Sequence, residues 1–309
     1  MKKIIVICIL FTTLMWSQQD AQYTQYMYNM SVINPAYTTG DLGIINIGAL
    51  HRTQWVGVEG APKSSNIFAH TPLSENVEAG FSMVNDNIGD IIKENNFYAD
   101  FSYKLNLGYY GHISFGLKAG LTVFDVNFND FNLESGSAFT DTEFTDNIHQ
   151  SFFNFGAGVY YNTDQYYVGF SIPNILTSNH LNKENGKYQS IKDIHMFLTG
   201  GYVFIINEQF KFKPAFMAKG VNTSNITLDL TSNVIYKNIV EFGLSYRLSD
   251  SVGAMVNFNL NDTLRVGYAY DYTVSNIGPF SSGSHELLIL YTIKLFNNYN
   301  GFDKSPRFF

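Results

Sequence analysis

Between about residues 43 and 296, apolar side chains recur at every second position. A clear example runs from Ile113 to Val123, where the apolar residues alternate with Ser114, Gly116, Lys118 and Gly120. The same two-residue period recurs over 240–248 and 264–272. Because successive side chains of a β-strand point to opposite faces, each segment has one apolar face and one polar or small face. A chain built from such segments must cover every apolar face, either with a second sheet or with lipid.

The first seventeen residues have the pattern of a secretory signal peptide. Lys2 and Lys3 precede an apolar run from Ile4 to Met15, and a polar stretch begins near Gln18. The run is shorter than the roughly 20 apolar residues that a spanning helix needs. We therefore expect export, with residues 1–17 removed and the mature chain beginning near Gln18.

The composition of the mature chain excludes several classes of function. The one cysteine, Cys8, lies in the leader, so we expect no disulfide and no cysteine-based metal site. Without Lys2 and Lys3, 17 basic residues remain against 26 acidic ones, a net charge of −9 that provides no footprint for nucleic acid. The seven histidines are dispersed, and no nucleophile stands out. We expect no nucleic-acid partner, no metal, no cofactor and no catalytic residue.

Clusters of Asn, Asp, Gly and Ser divide the alternating region into about fourteen strands, an even number that is typical of bacterial outer-membrane barrels. The predicted strands lie near 43–55, 64–73, 76–86, 92–107, 110–125, 151–163, 165–173, 191–206, 209–220, 224–236, 239–248, 251–260, 263–274 and 284–296. Short connections alternate with mostly longer ones, although 220–223 and 249–250 are short. Short turns on one rim and long loops on the other favour a membrane barrel over a secreted β-sandwich, which is the alternative.

The faces of single strands agree with this fold class, an all-β antiparallel transmembrane barrel of the outer-membrane type. In 209–220, apolar residues alternate with lysines, which suits lipid on one side and a polar lumen on the other. The residues expected to line the lumen are Lys118, Lys211, Lys213, Glu241, Arg247, Arg265 and Asp271. The tyrosines expected in the interfacial aromatic girdles are Tyr103, Tyr109, Tyr110, Tyr160, Tyr161, Tyr166, Tyr167 and Tyr202.

Two local predictions concern polar groups near the first hairpins. We expect His51, Arg52 and His70 to meet as polar lumen groups. We expect 85–90 to form an Asx-rich turn rather than a calcium loop.

Several motifs are distributed over the predicted mature chain. They are Gln22–Asn29 (Gln-Tyr-Thr-Gln-Tyr-Met-Tyr-Asn), Ile33-Asn34-Pro35-Ala36-Tyr37, His51–Gly57, His70-Thr71-Pro72-Leu73, Gly267–Tyr272, Ser282–Glu286 and the tail Ser305–Phe309. These motifs resemble the PorP/SprF family of outer-membrane proteins of the Bacteroidetes, which is associated with type IX secretion and gliding motility, and the resemblance covers essentially the whole mature chain.

The resemblance implies a non-enzymatic barrel in the cell outer membrane, in contact with lipid and lipopolysaccharide, that works with type IX secretion components. Some members are core components linked to a periplasmic peptidoglycan-binding lipoprotein. Others serve one large surface adhesin with a type B C-terminal sorting domain, which they help to export or to hold at the cell surface. Which of the two roles applies here stays open, and a passive channel or hydrophobic-solute porin is the alternative function.

The predicted organisation is a signal peptide (1–17), an N-terminal periplasmic strap or lumen plug (18–42), the barrel (43–296) and a C-terminal periplasmic tail (297–309). The N-terminal segment is interpreted either as a strap or plug or as an aromatic docking surface. Trp55 is interpreted as a girdle residue or as part of a partner-facing loop. The candidate partner-binding residues are Tyr26, Met27, Tyr28, Asn34, Pro35, Trp55, Arg307, Phe308 and Phe309.

Overall fold

The computed structural model describes residues 22–38, 42–89, 91–127, 132–133, 136–137, 147–176, 194–221 and 224–295. Its dominant element is one sheet of fourteen long antiparallel strands. These are β1 (Ile44–Thr53), β2 (Lys63–Pro72), β3 (Val77–Ile88), β4 (Ile92–Asn106), β5 (His112–Val126), β6 (Ile148–Asn162), β7 (Tyr166–Ile172), β8 (His195–Tyr202, continued by Phe204–Ile205), β9 (Phe210–Val221), β10 (Ser224–Tyr236), β11 (Val240–Arg247), β12 (Ser251–Asn259), β13 (Leu264–Thr273) and β14 (Ser284–Lys294).

The sheet closes on itself. Every strand pairs with its neighbours in sequence, and the first strand pairs antiparallel with the last, from Ile44 opposite Lys294 to Thr53 opposite His285. Closure pairs the backbone groups that the edges of an open sheet would leave free, which a membrane-spanning sheet requires. The predicted fourteen-stranded barrel is confirmed.

The connections sort onto two rims. One rim carries the six turns 73–76, 107–111, 163–165, 206–209, 237–239 and 260–263. The other carries the fully described connections 54–62, 248–250 and 274–283, together with the ends of the strands that flank the remaining four connections. Because barrels of this type have short periplasmic turns and longer extracellular loops, we call the first the inner rim and the second the outer rim.

The connection between β3 and β4 differs from the expected Asx-rich turn over 85–90. The strand continues to Ile88, so Asn85, Asp86 and Asn87 are strand residues, and the Asn85 amide donates to Asn95 Oδ1 across the pair at 2.7 Å. Asp90 lies outside the described residues. The turn prediction for 85–87 was wrong because polar side chains near a rim continue the strand without adding to the apolar alternation.

The two faces of the sheet are inverted relative to a water-soluble barrel. On β5, Lys118 points inward and is buried, whereas Leu117 points outward and is 66% exposed. Phe153 on β6 is 74% exposed, and Arg265 on β13 is almost fully buried. An apolar outer face around a polar interior is the pattern of a barrel whose outer wall contacts lipid. The chain therefore has the fold of an outer-membrane β-barrel.

The tyrosines near the inner rim divide between the two faces. Tyr103, Tyr109 and Tyr166 are exposed, as a girdle requires. Tyr160 and Tyr167 are buried inside the barrel with their rings stacked at 5.6 Å, so the girdle prediction for these two is wrong. The physical reason is the two-residue period, which puts them in phase with inward-facing glycines on β6 and β7.

The helical elements are short. Within the described residues they comprise the 3-10 turns Tyr26–Tyr28, Gly108–Tyr110 and Gly278–Phe280 and one α-helical turn, α1 (Met30–Ile33). Over the described ranges, none of the helices is long and apolar enough to cross a membrane.

Candidate functional site

Residues 22–38, which we call the plug, lie inside the barrel. Its side chains from Tyr26 to Met30 are at most 3% exposed, and they pack against inward-facing Leu50 and Leu288 of the wall. Polar contacts link the plug to β1, β5, β7, β9, β11, β13 and β14. The barrel therefore encloses a filled interior, and the wall residues that hold the plug form the candidate functional site.

Near the outer rim, three buried wall residues form a charged cluster, the outer-rim cluster. The Arg52 guanidinium lies 2.7 Å from Asp271 Oδ2 and 2.5 Å from Glu286 Oε1. The plug supplies further donors, since the backbone N–H groups of Thr24 and Gln25 donate to Glu286 at 2.6 and 3.0 Å, and the Thr24 hydroxyl donates to Asp271 at 2.5 Å. One guanidinium faces two buried carboxyl groups, and the plug provides further hydrogen-bond donors to both of them.

Toward the inner rim, a second cluster receives the Tyr28 side chain. This inner-rim cluster contains Lys213, Glu241 and Arg265, with Lys213 Nζ 2.8 Å from Glu241 Oε1 and Arg265 Nη1 3.6 Å from Glu241 Oε2. The Tyr28 hydroxyl accepts from Lys213 at 2.7 Å and donates to Glu241, and the two cations lie over its ring at 4.6 and 4.9 Å. Burial, followed by the nearby Glu241 carboxylate, raises the pKa of Tyr28 well above its ordinary value. The hydroxyl therefore stays protonated and bridges the ion pair.

The second half of the plug is held by close packing in a cleft formed by glycines. Gly116 on β5, Gly158 on β6 and Gly169 on β7 line this glycine cleft. A Cβ atom at Gly116 would overlap the peptide between Pro35 and Ala36, and one at Gly158 would overlap the Asn34 side chain. Glycine is required at these positions because the plug approaches the wall so closely.

Asn34 is the polar centre of this contact. Its side-chain amide donates to the backbone carbonyl of Val159 at 3.1 Å, and its Oδ1 accepts from the Ala36 backbone N–H at 2.9 Å. The preceding carbonyl of Ile33 accepts from Ser171 at 2.9 Å, and that of Val32 accepts from Lys118 at 2.8 Å. The carbonyl groups at the end of α1 therefore accept hydrogen bonds from wall side chains rather than from water.

The plug ends near the inner rim. Tyr37 packs edge-on against His70 and Tyr160, with ring centroids 5.3 and 5.7 Å apart, and the Thr38 hydroxyl lies 3.1 Å from Ser114 Oγ. His70 is buried and pairs with Glu78 at 2.9 Å. The expected meeting of His51, Arg52 and His70 does not occur, and His70 lies opposite Asn46, six residues from Arg52. His51 is one residue out of phase with Arg52, so it points to the outer face and contacts Ser65 instead.

The structure places the predicted lumen residues on the inward-facing register of the strands. All of them except one are at most 5% exposed: Lys118, Lys213, Glu241, Arg247, Arg265 and Asp271. Lys211, two residues from Lys213 near the inner end of β9, is half-buried. Arg247 forms a separate pair with Asp229 at 2.7 Å. Five of these seven, all but Lys211 and Arg247, belong to a cluster or contact that reaches the plug.

The predicted partner-binding residues have a different outcome. Five of them are buried inside the barrel, where a partner could reach their side chains only if the plug left the lumen: Tyr26, Met27, Tyr28, Asn34 and Pro35. Trp55 is half-buried in the outer-rim connection 54–62, where its backbone N–H donates to Ser284 and the next residue pairs with Gly283 of the connection 274–283. Arg307, Phe308 and Phe309, with the rest of 296–309 and the leader 1–17, lie outside the described residues.

Glu286 and the three glycines of the cleft were not among the predicted site residues. Each lies on the inward-facing register of its strand, and Glu286 follows the same two-residue phase as Ser284. That phase was readable from the sequence, but the identity of the segment that these residues contact was not.

Solved structures with a similar fold are outer-membrane proteins. A Pseudomonas aeruginosa FadL homologue is 9% identical and has a TM-score of 0.51, covering 86% of this chain and 94% of its own. The P. putida toluene transporter TodX is also 9% identical with a TM-score of 0.51, covering 88% and 95%. The Acinetobacter baumannii outer membrane protein Omp33 is 8% identical with a TM-score of 0.47, covering 82% and 99%. At these identities the likeness concerns the fold alone.

No curated protein matches the chain. The family model described as type IX secretion system membrane protein PorP/SprF matches residues 16–291, a range that contains the plug, both charged clusters and the glycine cleft. Neither this family nor this fold is an enzymatic kind. The chain belongs to the PorP/SprF family of type IX secretion system membrane proteins.

Proposed function

We propose that the protein is a closed, non-enzymatic outer-membrane component of type IX secretion that helps to export, or to hold at the cell surface, a large adhesin with a type B C-terminal sorting domain. Export of the chain itself depends on the leader 1–17. The family membership supports the secretion role. The observation that carries the choice of a scaffold over a channel is the plug, which fills the lumen and is bonded to the wall at both rims.

The energetic cost of removing the plug supports this choice. Withdrawal of the plug would leave Glu286 and Asp271 without three donors, and it would expose Tyr26, Met27, Met30 and the apolar wall residues that they cover to an aqueous lumen. Water entering the lumen would replace the hydrogen bonds lost by the two carboxylates, whereas each large apolar side chain exposed costs about 1.5–3 kcal/mol. A passive pore has no need of such a closure.

The alternative function is a passive channel or hydrophobic-solute porin. One observation favours it, namely a cavity of about 690 Å³, solvent at its mouth included, above the plug on the outer side. Its lining combines aromatic and aliphatic side chains, such as Tyr98, Phe197 and Met217, with Lys219. The FadL homologue and the toluene transporter share only the fold, so the cavity alone supports this alternative.

The test of the proposed function is deletion of the gene followed by external labelling of surface proteins on intact cells. We expect one very large protein to disappear from the labelled set and to return on complementation with the wild-type gene. Unchanged surface display together with unchanged motility would contradict the proposal.

The same strain distinguishes the two roles within the family. Loss of one surface protein indicates a dedicated partner, whose gene we expect next to this one, encoding a large repeat protein with a C-terminal sorting domain. Loss of many exported proteins indicates a core component, and pull-down of a periplasmic peptidoglycan-binding lipoprotein is then expected.

A further inference from the structure

A polar patch lies on the outer, lipid-facing side of the barrel wall near the outer rim. It covers four adjacent strands, β13, β14, β1 and β2, and its side chains point away from the lumen. We call it the outer-face patch, and it consists of His51, Thr53, Lys63, Ser65, Tyr268, Tyr270 and His285. The strand register places these residues side by side, since Thr53 lies opposite both Lys63 and His285, and His285 lies opposite Tyr270.

The patch lies at the depth of the outer leaflet. The apolar outer face begins at the inner rim, where Leu42 and Leu295 flank the inner ends of β1 and β14 and are each about half exposed. From Ile44 at the inner end of β1, His51 lies about 18 Å higher along the barrel axis, at about 3.3 Å per residue and a strand tilt of about 40°. Because the apolar band of such a barrel is about 25 Å tall, His51 lies inside the outer edge of that band.

The wall formed by β11 and β12 differs from this patch near the same rim. There the outward-facing residues Leu244, Leu248 and Val252 are 66%, 48% and 46% exposed, so they continue the apolar face up to the rim. The polar patch is therefore not a general property of the outer rim. Since polar groups that face hydrocarbon lose their hydrogen bonds to water, such a patch marks a surface with a function.

Hydrogen bonds within the patch orient its side chains. The two ring nitrogens of His51 lie 2.8 Å from Ser65 Oγ and 3.2 Å from Thr53 Oγ1. The Tyr268 hydroxyl lies 2.6 Å from Nδ1 of His285. When this hydroxyl donates, Nε2 of His285 carries the ring hydrogen, and it has no acceptor among the described residues. The patch thus directs a donor toward the lipid that the protein itself does not use.

The charge of the patch favours an anionic ligand. The two carboxylates on its four strands, Asp271 and Glu286, face the lumen, whereas Lys63 faces outward. Lysine, imidazole N–H and hydroxyl groups are donors that suit a phosphate group, and no outward-facing carboxylate of these strands competes with it. In the outer leaflet of a bacterial outer membrane, phosphate is carried by the diglucosamine headgroup of the glycolipid lipid A.

We propose that the outer-face patch binds the phosphorylated headgroup of lipid A. Lys63 provides the positive charge, His285 provides its ring N–H, and His51 holds the neighbouring hydroxyl groups in place. Ile67 and Leu287, which are each 57% exposed on the same strands, lie closer to the inner rim and contact the acyl chains. The proposal rests on the outer wall alone and is independent of the proposed function.

The experiment measures the affinity of lipid A for the purified full chain in detergent by native mass spectrometry. The test variant is His51→Leu with His285→Phe, since both substitutions place apolar side chains against lipid and should leave the barrel folded. Heat-modifiable migration in gels checks the fold. His149→Leu is the matched control, because this exposed histidine of β6 contacts Asp125 and lies outside the patch.

We expect the wild type to bind phosphorylated lipid A about tenfold or more tightly than the same lipid after removal of its phosphates. The double variant should lose this preference, and His149→Leu should keep it. Equal affinity of the wild type for the two lipids, or an unchanged preference in the double variant, would overturn the proposal. So would displacement of the lipid by millimolar inorganic phosphate, which would show a site for free phosphate.

Tyr268→Phe provides a second measurement in case the double variant does not fold. It removes only the hydroxyl that orients His285, on a ring that stays in place. We expect a severalfold loss of affinity for phosphorylated lipid A and no change for the dephosphorylated lipid. An equal loss for both lipids would overturn the assignment of the patch to phosphate.

Discussion

At the outer rim the plug is bound by hydrogen bonds to the charged wall side chains Arg52, Asp271 and Glu286. In the glycine cleft it is bound by the close packing of its backbone against the backbone of the wall. The first contact depends on the side chains that the wall provides, and the second depends on side chains that it lacks. The two contacts should therefore fail in opposite ways. Removal of a charged side chain should disrupt the outer-rim cluster, whereas addition of a methyl group should disrupt the glycine cleft.

The largest effect is expected at the outer-rim cluster. Arg52→Ala leaves two buried carboxylates without their cation, and breaking a buried ion pair in this way costs about 3–5 kcal/mol. We expect a large fall in the urea midpoint for unfolding of the purified protein in lipid vesicles. Lys63→Ala, at an exposed basic residue of β2, is the control and should change the free energy of unfolding by less than about 0.5 kcal/mol.

Equal midpoints for the Arg52 and Lys63 variants would show that the cluster does not hold the plug through charge.

A smaller effect is expected in the glycine cleft. Gly158→Ala forces a methyl group onto Asn34, and overpacking of this kind costs about 1–3 kcal/mol. Gly220→Ala is the matched control, since nothing lies within 4 Å of a Cβ atom added there. Unfolding midpoints in vesicles measure both variants.

The comparison becomes sharper when Gly158→Ala is placed in a chain that lacks residues 22–38. Without the plug the added methyl group meets no Asn34, so its cost should vanish. A cost that persists would mean that the wall itself, and not the plug, requires glycine at this position.

The smallest effect is expected for Tyr28→Phe. The hydroxyl bridges Lys213 and Glu241, but these two contact each other directly at 2.8 Å, so the ion pair survives the substitution. The substitution removes both hydrogen bonds of the hydroxyl, and hydrogen bonds to charged groups contribute about 1.5–3 kcal/mol each, but because Lys213 and Glu241 stay paired with each other we expect a net cost of only about 1.5 kcal/mol. Tyr272→Phe on the exposed outer face is the control, and a larger effect there than at Tyr28 would contradict the inner-rim assignment.

The barrel was predictable from the sequence because its determinant is local. Alternation along a single strand, as in 113–123, already reveals an apolar face, and the sorting of connections indicates which solvent covers it. Tyr160 and Tyr167 were misassigned because aromatic residues near a strand end suit a girdle and a lumen equally well. Only the phase of the strand distinguishes the two.

The candidate site was less predictable because its contacts are distant in sequence. Thr24 meets Glu286 across 262 positions and Asn34 meets Val159 across 125. Lys213, Glu241 and Arg265 could be assigned to the polar face one strand at a time. Their common partner, Tyr28, follows from neither composition nor spacing, and the same holds for the glycines that receive Asn34.

The central claim is that residues 22–38 close the lumen, and its most direct test is the conductance of the purified protein in planar bilayers. The account predicts no stable open pore for the wild type and a steady conductance for the variant that lacks residues 22–38, which also shows that the assay detects the barrel. A stable wild-type pore with the same conductance as the deletion variant would contradict the account and favour a channel.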